Sequence, residues 1–110
     1  MKNLMTGGAA FALLVAVPAA AFGAEAESCK LVRFSDVGWT DITATTAVTS
    51  LVLEALGYET ETQVLAVPVT YASLKNKDID VFLGNWMPSM AADVQPFIDD
   101  GSVETIGGYE

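Results

Sequence analysis

The chain has 110 residues, enough for one small domain, and its 14 acidic residues outnumber its five lysines and arginines, giving a net charge of −9. All the acids and four of the basic residues lie from Glu25 onward, so that part carries a net charge of −10. Nucleic acid is not an expected partner, because binding it requires compensating positive charge. The chain has no histidine, which excludes histidine-based triads and histidine metal ligation within it, and we predict no cofactor.

Residues 1–24 have the pattern of a secretory signal peptide. Lys2 supplies a positive charge, residues 4–20 are apolar and alanine-rich, and small residues over 19–24 offer cleavage sites. The alternative is a transmembrane anchor, but Gly7-Gly8 interrupts the stretch and acidic residues follow it in place of a basic stop-transfer cluster. We therefore predict export, cleavage of residues 1–24, and no stable membrane insertion afterwards.

Cys29 is the only cysteine in the chain. It is either a small buried apolar side chain or half of a disulfide whose partner lies outside this sequence. The segment that follows residue 24 is near the lower size limit for an independent α/β domain, which favours a fragment of a longer protein.

Strand-like and helix-like patterns alternate from Leu31 onward. Strands separated by helical crossovers give a parallel sheet, so we predict an α/β fold. The predicted elements, in chain order, are a strand over 31–34, a helix capped by Thr40 or Asp41 and running to about Leu56, a strand over 58–67, a helix over 69–75, a strand over 78–83, a helix over 89–98 and a short strand over 103–106.

The first predicted helix is rich in threonine, which forms helices weakly, so burial is expected to stabilise it. Its apolar or small residues at helical spacing are Ile42, Ala44, Ala47, Val48, Leu51, Val52, Ala55 and Leu56.

The only two tryptophans, Trp39 and Trp86, each follow an apolar run that ends in glycine. If both runs are parallel strands, their carboxyl ends lie at one edge of the sheet, where open α/β folds bind ligands. Trp39 has an alternative role as a core residue between the first helix and the sheet. A second tryptophan, Trp86, occurs at the equivalent place after another strand, and this favours ligand contact for both residues.

The chemistry around these tryptophans suits a small organic cation. Aromatic faces attract diffuse positive charge, and a quaternary ammonium group cannot donate ordinary hydrogen bonds. Asp41 either caps the helix or faces the ligand. Two indoles do not complete an aromatic cage, so further aromatic walls are expected from elsewhere.

Three segments together resemble the amino-terminal part of periplasmic substrate-binding proteins of choline and glycine betaine ABC importers, most closely the choline-binding proteins. They are residues 35–43 (SDVGWTDIT), 53–58 (LEALGY) and 78–88 (DIDVFLGNWMP). The resemblance implies a parallel-sheet lobe of a two-lobed (type II) periplasmic binding protein. On this basis residues 29–110 form the amino-terminal part of the substrate-binding domain, a first lobe that is incomplete in this chain.

The resemblance also assigns roles to individual residues. Trp39 and Trp86 match two tryptophans of the family's aromatic box, and Asp41 matches the acidic residue near the choline cation and hydroxyl. Cys29 resembles a family cysteine that pairs with one in the carboxyl-terminal part, outside this chain. The implied partners are a quaternary ammonium ligand and an ABC transporter permease.

Three functions follow from the sequence as hypotheses, besides a sensor or permease-fused domain, which membrane spans in downstream sequence would reveal. The first is a non-enzymatic, periplasmic binding component that delivers choline to a permease. The second is a glycine betaine or proline betaine receptor of the same family, whose ligand carboxylate needs donors that this segment does not show. The third is an enzyme acting on a quaternary amine, for which the segment offers no base, nucleophile or metal site.

Overall fold

The computed structural model describes residues 25–107, which form a three-stranded sheet with helices between the strands. The predicted signal peptide lies outside these residues. A short 3-10 turn (Glu27–Cys29) is followed by β1 (Leu31–Asp36), α1 (Thr40–Ala55), β2 (Glu59–Val64), α2 (Val67–Asn76), β3 (Val81–Phe82) and α3 (Ala91–Asp99).

The sheet has the order β2-β1-β3, and both strand pairs are parallel. Leu31 pairs with Glu59 at the start of β1, and Phe34 pairs with Val81 toward its end. The helices α1 and α2 make the two crossovers. The predicted α/β fold with a parallel sheet is confirmed, and the carboxyl ends of β1 and β3 lie side by side.

The first strand is longer than predicted, because it continues to Asp36. Ser35, predicted to lie in a loop, is fully buried, and its hydroxyl is 2.6 Å from the hydroxyl of Thr70 on α2. This hydrogen bond satisfies two buried polar groups between the sheet and the helix.

The boundary between β2 and α2 lies earlier in the chain than predicted. The strand ends at Val64, and α2 begins at Val67 with Pro68 in its first turn. Proline is accommodated there because the first amides of a helix have no intrahelical acceptor. Pro68 therefore starts this helix and does not merely end the strand.

The third strand and third helix are shorter than predicted. β3 comprises only Val81 and Phe82, and a turn over 87–90 precedes α3. Residues 103–106 form no strand within the described chain. Asp80 pairs with Arg33 at 2.8 Å, and this ion pair lowers the pKa of Asp80 while tying the start of β3 to β1.

Only part of the apolar face predicted for α1 is buried in the structure. Ile42 is buried as expected, but so is Thr46. Val48, Leu51, Val52 and Leu56 are instead 55–70% exposed. Apolar and small residues occur nearly all around this helix, so their spacing does not select the side that faces the sheet.

The core lies between α2, α3 and the end of the sheet. Tyr71, Met90 and Val94 are its buried centre. The Tyr71 ring stacks on Phe97 at 5.7 Å and meets Phe82 edge to face at 6.0 Å between centroids. These contacts fix the segment that carries Trp86, which lies between β3 and α3.

Candidate functional site

Trp39 lies between β1 and α1, in a segment that we call the first loop and define as residues 36–43, from the last residue of β1 to the first turn of α1. It is the residue immediately before the helix, and its carbonyl accepts a 2.8 Å hydrogen bond from the amide of Thr43. Gly38 has a φ of 79°, a left-handed conformation that glycine adopts at little cost. The Trp39 side chain is 39% exposed, so it is not a core residue.

Trp86 lies in the second loop (residues 83–90), between β3 and α3. Its amide donates to the Met90 sulfur at 3.3 Å, and its carbonyl accepts from the Met90 amide at 2.8 Å. Its side chain is 53% exposed. Both tryptophans therefore present part of their surface to solvent at the ends of adjacent strands.

The two indole rings lie against each other. Their centroids are 5.8 Å apart and their planes are inclined by 58°. Such a tilted pair forms a corner whose two faces can contact one cation, since cation–π attraction acts within about 6 Å of a ring centroid. The juxtaposition that the sequence analysis required is present, while the role of the pair in ligand binding stays a prediction.

Asp41 is exposed in the first turn of α1. The predicted helix cap at Thr40 or Asp41 is wrong. The capping position is Trp39, whose side chain makes no capping hydrogen bond. A carboxylate in the first turn is still favoured by the positive end of the helix dipole. Asp41 brings negative charge two residues from Trp39, and its contact with a ligand stays a prediction.

Asp36, the last residue of β1, is a further residue of this site that was not among the predicted ones. Its side chain is buried, and its two carboxylate oxygens accept hydrogen bonds from the Gly38 amide at 2.8 Å and the Thr43 hydroxyl at 2.6 Å. An aspartate two residues before a glycine is a known turn signal that could have identified it.

A second missed group lies behind Trp86. The Tyr71 hydroxyl donates a 2.7 Å hydrogen bond to the side-chain oxygen of Asn85, the residue before Trp86. Burial, with a contribution from the negative charge of Asp93, raises the pKa of Tyr71 to about 12. The phenol therefore remains a hydrogen-bond donor at all physiological pH values. No sequence pattern pointed to this pair.

Cys29 lies in the 3-10 turn, where it is exposed and has no disulfide partner among residues 25–107. Its pairing with a cysteine outside this chain stays a prediction. Within the same residues, no group of three or more histidine, cysteine, aspartate or glutamate side chains could hold a metal ion.

An α/β lobe with aromatic side chains at adjacent strand ends is the architecture of a small-molecule binding domain. Residues 30–110 match the family model OpuAC, described as the substrate binding domain of ABC-type glycine betaine transport systems. The chain belongs to this family, which consists of transport proteins and not of enzymes. None of the helices in residues 25–107 has the length and apolar character needed to cross a membrane.

Three relatives illustrate the membership. The chain is 56% identical over 90 residues to an uncharacterized protein, ORF1, of Chromohalobacter salexigens, covering 82% of this chain and 56% of that protein. It is 73% identical to a solved ABC-transporter choline binding protein in complex with choline (TM-score 0.69, covering 70% of this chain and 27% of that one).

The same identity is found with an ABC-transporter choline binding protein in an unliganded semi-closed conformation. The TM-score there is 0.68, with 74% of this chain and 28% of that chain covered. The chain thus spans about half the length of the curated relative and little more than a quarter of the solved proteins.

Proposed function

We propose that this chain carries part of the ligand site of a binding protein that captures choline for an ABC importer. The observation that carries the proposal is the tilted pair of Trp39 and Trp86 at 5.8 Å, partly exposed at the carboxyl edge of the sheet. The 73% identity to a protein solved with choline supports the choice of ligand.

The physical basis is cation–π attraction. The trimethylammonium group of choline spreads its positive charge over methyl groups, which fit against indole faces without needing hydrogen-bond acceptors. Each such contact stabilises the complex by roughly 0.5–2 kcal/mol when water is excluded. Two rings provide one corner, and the remaining walls belong to parts of the family fold that this chain does not span.

Asp41 favours choline over glycine betaine or proline betaine in this proposal. A carboxylate attracts the cation and can accept a hydrogen bond from the choline hydroxyl, whereas it repels the carboxylate of a betaine. The betaine alternative is represented in the description of the family model. A betaine carboxylate would require hydrogen-bond donors near the tryptophan pair. The charged side chain next to the pair is that of Asp41, which is an acid.

The proposal includes the cellular context predicted from the sequence. Cleavage after a signal peptide over residues 1–24 would release the protein into the periplasm, where it would present choline to a membrane permease. The acidic surface adds weak steering of cations toward the site. No catalytic step is part of this function.

The experiment is a calorimetric titration with choline of two proteins: the 110-residue chain, and a chimera in which residues 30–107 replace the equivalent segment of the 73% identical choline binding protein. We expect the chimera to bind choline. Replacing Trp39 or Trp86 by leucine should weaken binding by about 2- to 30-fold, and phenylalanine should restore part of the loss.

Two controls separate charge from shape. The neutral carbon analogue 3,3-dimethyl-1-butanol has the shape of choline without its charge and should bind much more weakly. Asp41→Asn should lower choline affinity by about 2- to 5-fold and shift the preference toward glycine betaine. A chimera that fails to bind choline, or prefers betaine before Asp41 is changed, would contradict the proposal.

A further inference from the structure

Asp36 is a buried carboxylate that is in direct hydrogen-bond contact with residues on both sides of Trp39. The side chain is only 4% exposed. One carboxylate oxygen accepts from the amide of Gly38 at 2.8 Å, and the other accepts from the hydroxyl of Thr43 at 2.6 Å. Asp36 thus links two positions of the first loop, one before and one after Trp39, through its side chain.

The sheet fixes the position of Asp36 itself. It pairs with Val64 in the register of β1 and β2, and its carbonyl accepts a 2.8 Å hydrogen bond from the amide of Leu65. The carboxylate therefore projects from the central strand of the sheet. Charge-assisted hydrogen bonds of this length are about twice as strong as neutral ones.

Thr43 transmits this constraint to the tryptophan. Its amide donates to the carbonyl of Trp39 at 2.8 Å, while its hydroxyl donates to Asp36. Gly38, the other partner of the carboxylate, directly precedes Trp39. The backbone on each side of the indole is therefore held by the same side chain.

We propose that Asp36 is a positioning residue that sets the Trp39 indole at its angle to Trp86 and so forms the aromatic corner. It acts through Gly38 and Thr43 and does not touch the ligand. The consequence for choline affinity rests on the proposed function, whereas the consequence for the ring geometry does not.

The proposal predicts different effects for different substitutions, because the side chains differ in the hydrogen bonds that they can make. Aspartate offers acceptors to both donors. Asparagine can still accept from the Gly38 amide, and its NH2 group can donate to the Thr43 hydroxyl, which is able to act as an acceptor. Asp36→Asn should therefore preserve most of the geometry, while Asp36→Ala removes both links and Thr43→Val removes one.

Circular dichroism of the ligand-free 110-residue chain tests this directly. Two indoles in contact give coupled electronic transitions, whose paired bands depend on the distance and angle between the rings. The chain has only two tryptophans, so the Trp86→Phe variant keeps one indole and gives the reference spectrum in which no coupling between indoles is present. We expect Asp36→Ala and Thr43→Val to lose half or more of the coupled signal, and Asp36→Asn to retain most of it.

Thr46→Val is the matched control. Thr46 lies one turn further along α1, is 2% exposed, and its hydroxyl has no hydrogen-bond partner among the described residues. The same chemical change there should leave the coupled signal intact. If Asp36→Ala does not fold, Thr43→Val carries the test, because Thr43 is exposed and its loss leaves the packing in place.

An unchanged coupled signal in folded Thr43→Val or Asp36→Ala would overturn the proposal, as would an equal loss in Thr46→Val. The choline chimera gives a separate result. If the chimera fails to bind choline while the signal falls in Asp36→Ala, the proposed function fails and the positioning role stands. If choline binds but the signal is unchanged in either folded variant, the positioning role fails alone.

Discussion

The two tryptophan loops are held in different ways, although they leave adjacent parallel strands. The first loop is fixed by one carboxylate, Asp36, whose hydrogen bonds reach partners two and seven residues further along the chain. The second loop is fixed by two buried side chains: Tyr71 of α2, which donates to Asn85, and Met90, the last residue of the loop, whose sulfur accepts from the Trp86 amide.

This difference means that Trp39 is positioned locally and Trp86 by tertiary packing. The anchors of Trp86 are themselves members of the buried cluster between α2 and α3. Its placement should therefore respond to changes in the core. The placement of Trp39 should instead follow changes in the turn chemistry of the first loop, and the following predictions test that division.

The largest effect is expected for Tyr71→Ala. The ring is 1% exposed and stacks on Phe97, so truncation should lower the free energy of unfolding by about 3–5 kcal/mol. Urea unfolding measures this loss, and Tyr71→Phe is the control because it keeps the ring and loses only the hydrogen bond to Asn85.

The same variant tests which loop depends on the core. Below the unfolding transition, Tyr71→Ala should change the fluorescence of Trp86 in a Trp39→Phe background more than that of Trp39 in a Trp86→Phe background. Equal changes in the two tryptophans would show that both loops depend on the core, and the proposed division would be wrong.

Gly84→Ala should cost less, about 1–3 kcal/mol through overpacking. A Cβ atom at Gly84 would lie 2.8 Å from the Phe82 ring and 3.0 Å from Ile42 of α1. The second loop therefore passes close to the first helix without room for a methyl group. Thermal unfolding measures the cost, and wild-type stability in this variant would contradict the close approach.

Gly38→Ala should cost about 1–2 kcal/mol, because its φ of 79° is unfavourable for a residue with a side chain. The nearest atom to an added Cβ is 3.9 Å away, so the penalty is conformational and not steric. Gly57→Ala is the matched control, with a φ of 95° and no atom within 4 Å.

These two glycine variants should differ in circular dichroism. Both should lose similar stability, but only Gly38→Ala should reduce the coupled tryptophan signal, because only Gly38 lies in the first loop. A reduced signal in Gly57→Ala would mean that general loss of stability, and not loop geometry, controls the ring pair.

The order of elements and the meeting of the two loops could be predicted from the sequence. Alternation of strand and helix patterns implies a parallel sheet, and a parallel sheet brings the ends of its strands to one edge. The pairing of Trp39 and Trp86 therefore follows from their places in the chain alone.

Features that depend on three-dimensional packing could not be predicted. The buried side of α1 includes Thr46 while Leu51 is exposed, and the spacing of apolar and small residues nearly all around this helix does not distinguish the two sides. The link between Tyr71 and Asn85 joins residues 14 positions apart on different elements. Asp36 is the intermediate case, because its turn signal is local but its burial comes from the strand.

The smallest effect concerns pH and the Tyr71 anchor. The unfolded chain releases the Tyr71 proton near its ordinary pKa of 10.0, whereas the folded chain holds it to about 12. The folded state thus binds more protons between these values, so the contribution of Tyr71 to stability is complete below pH 10 and falls as pH rises toward 12. The difference in unfolding free energy between wild type and Tyr71→Phe, about 1 kcal/mol at pH 8, should fall over this range and vanish before pH 12 is reached. Urea titrations at pH 8, 10 and 11 measure it, and a constant difference would show that burial does not raise the pKa of the Tyr71 phenol in the folded chain.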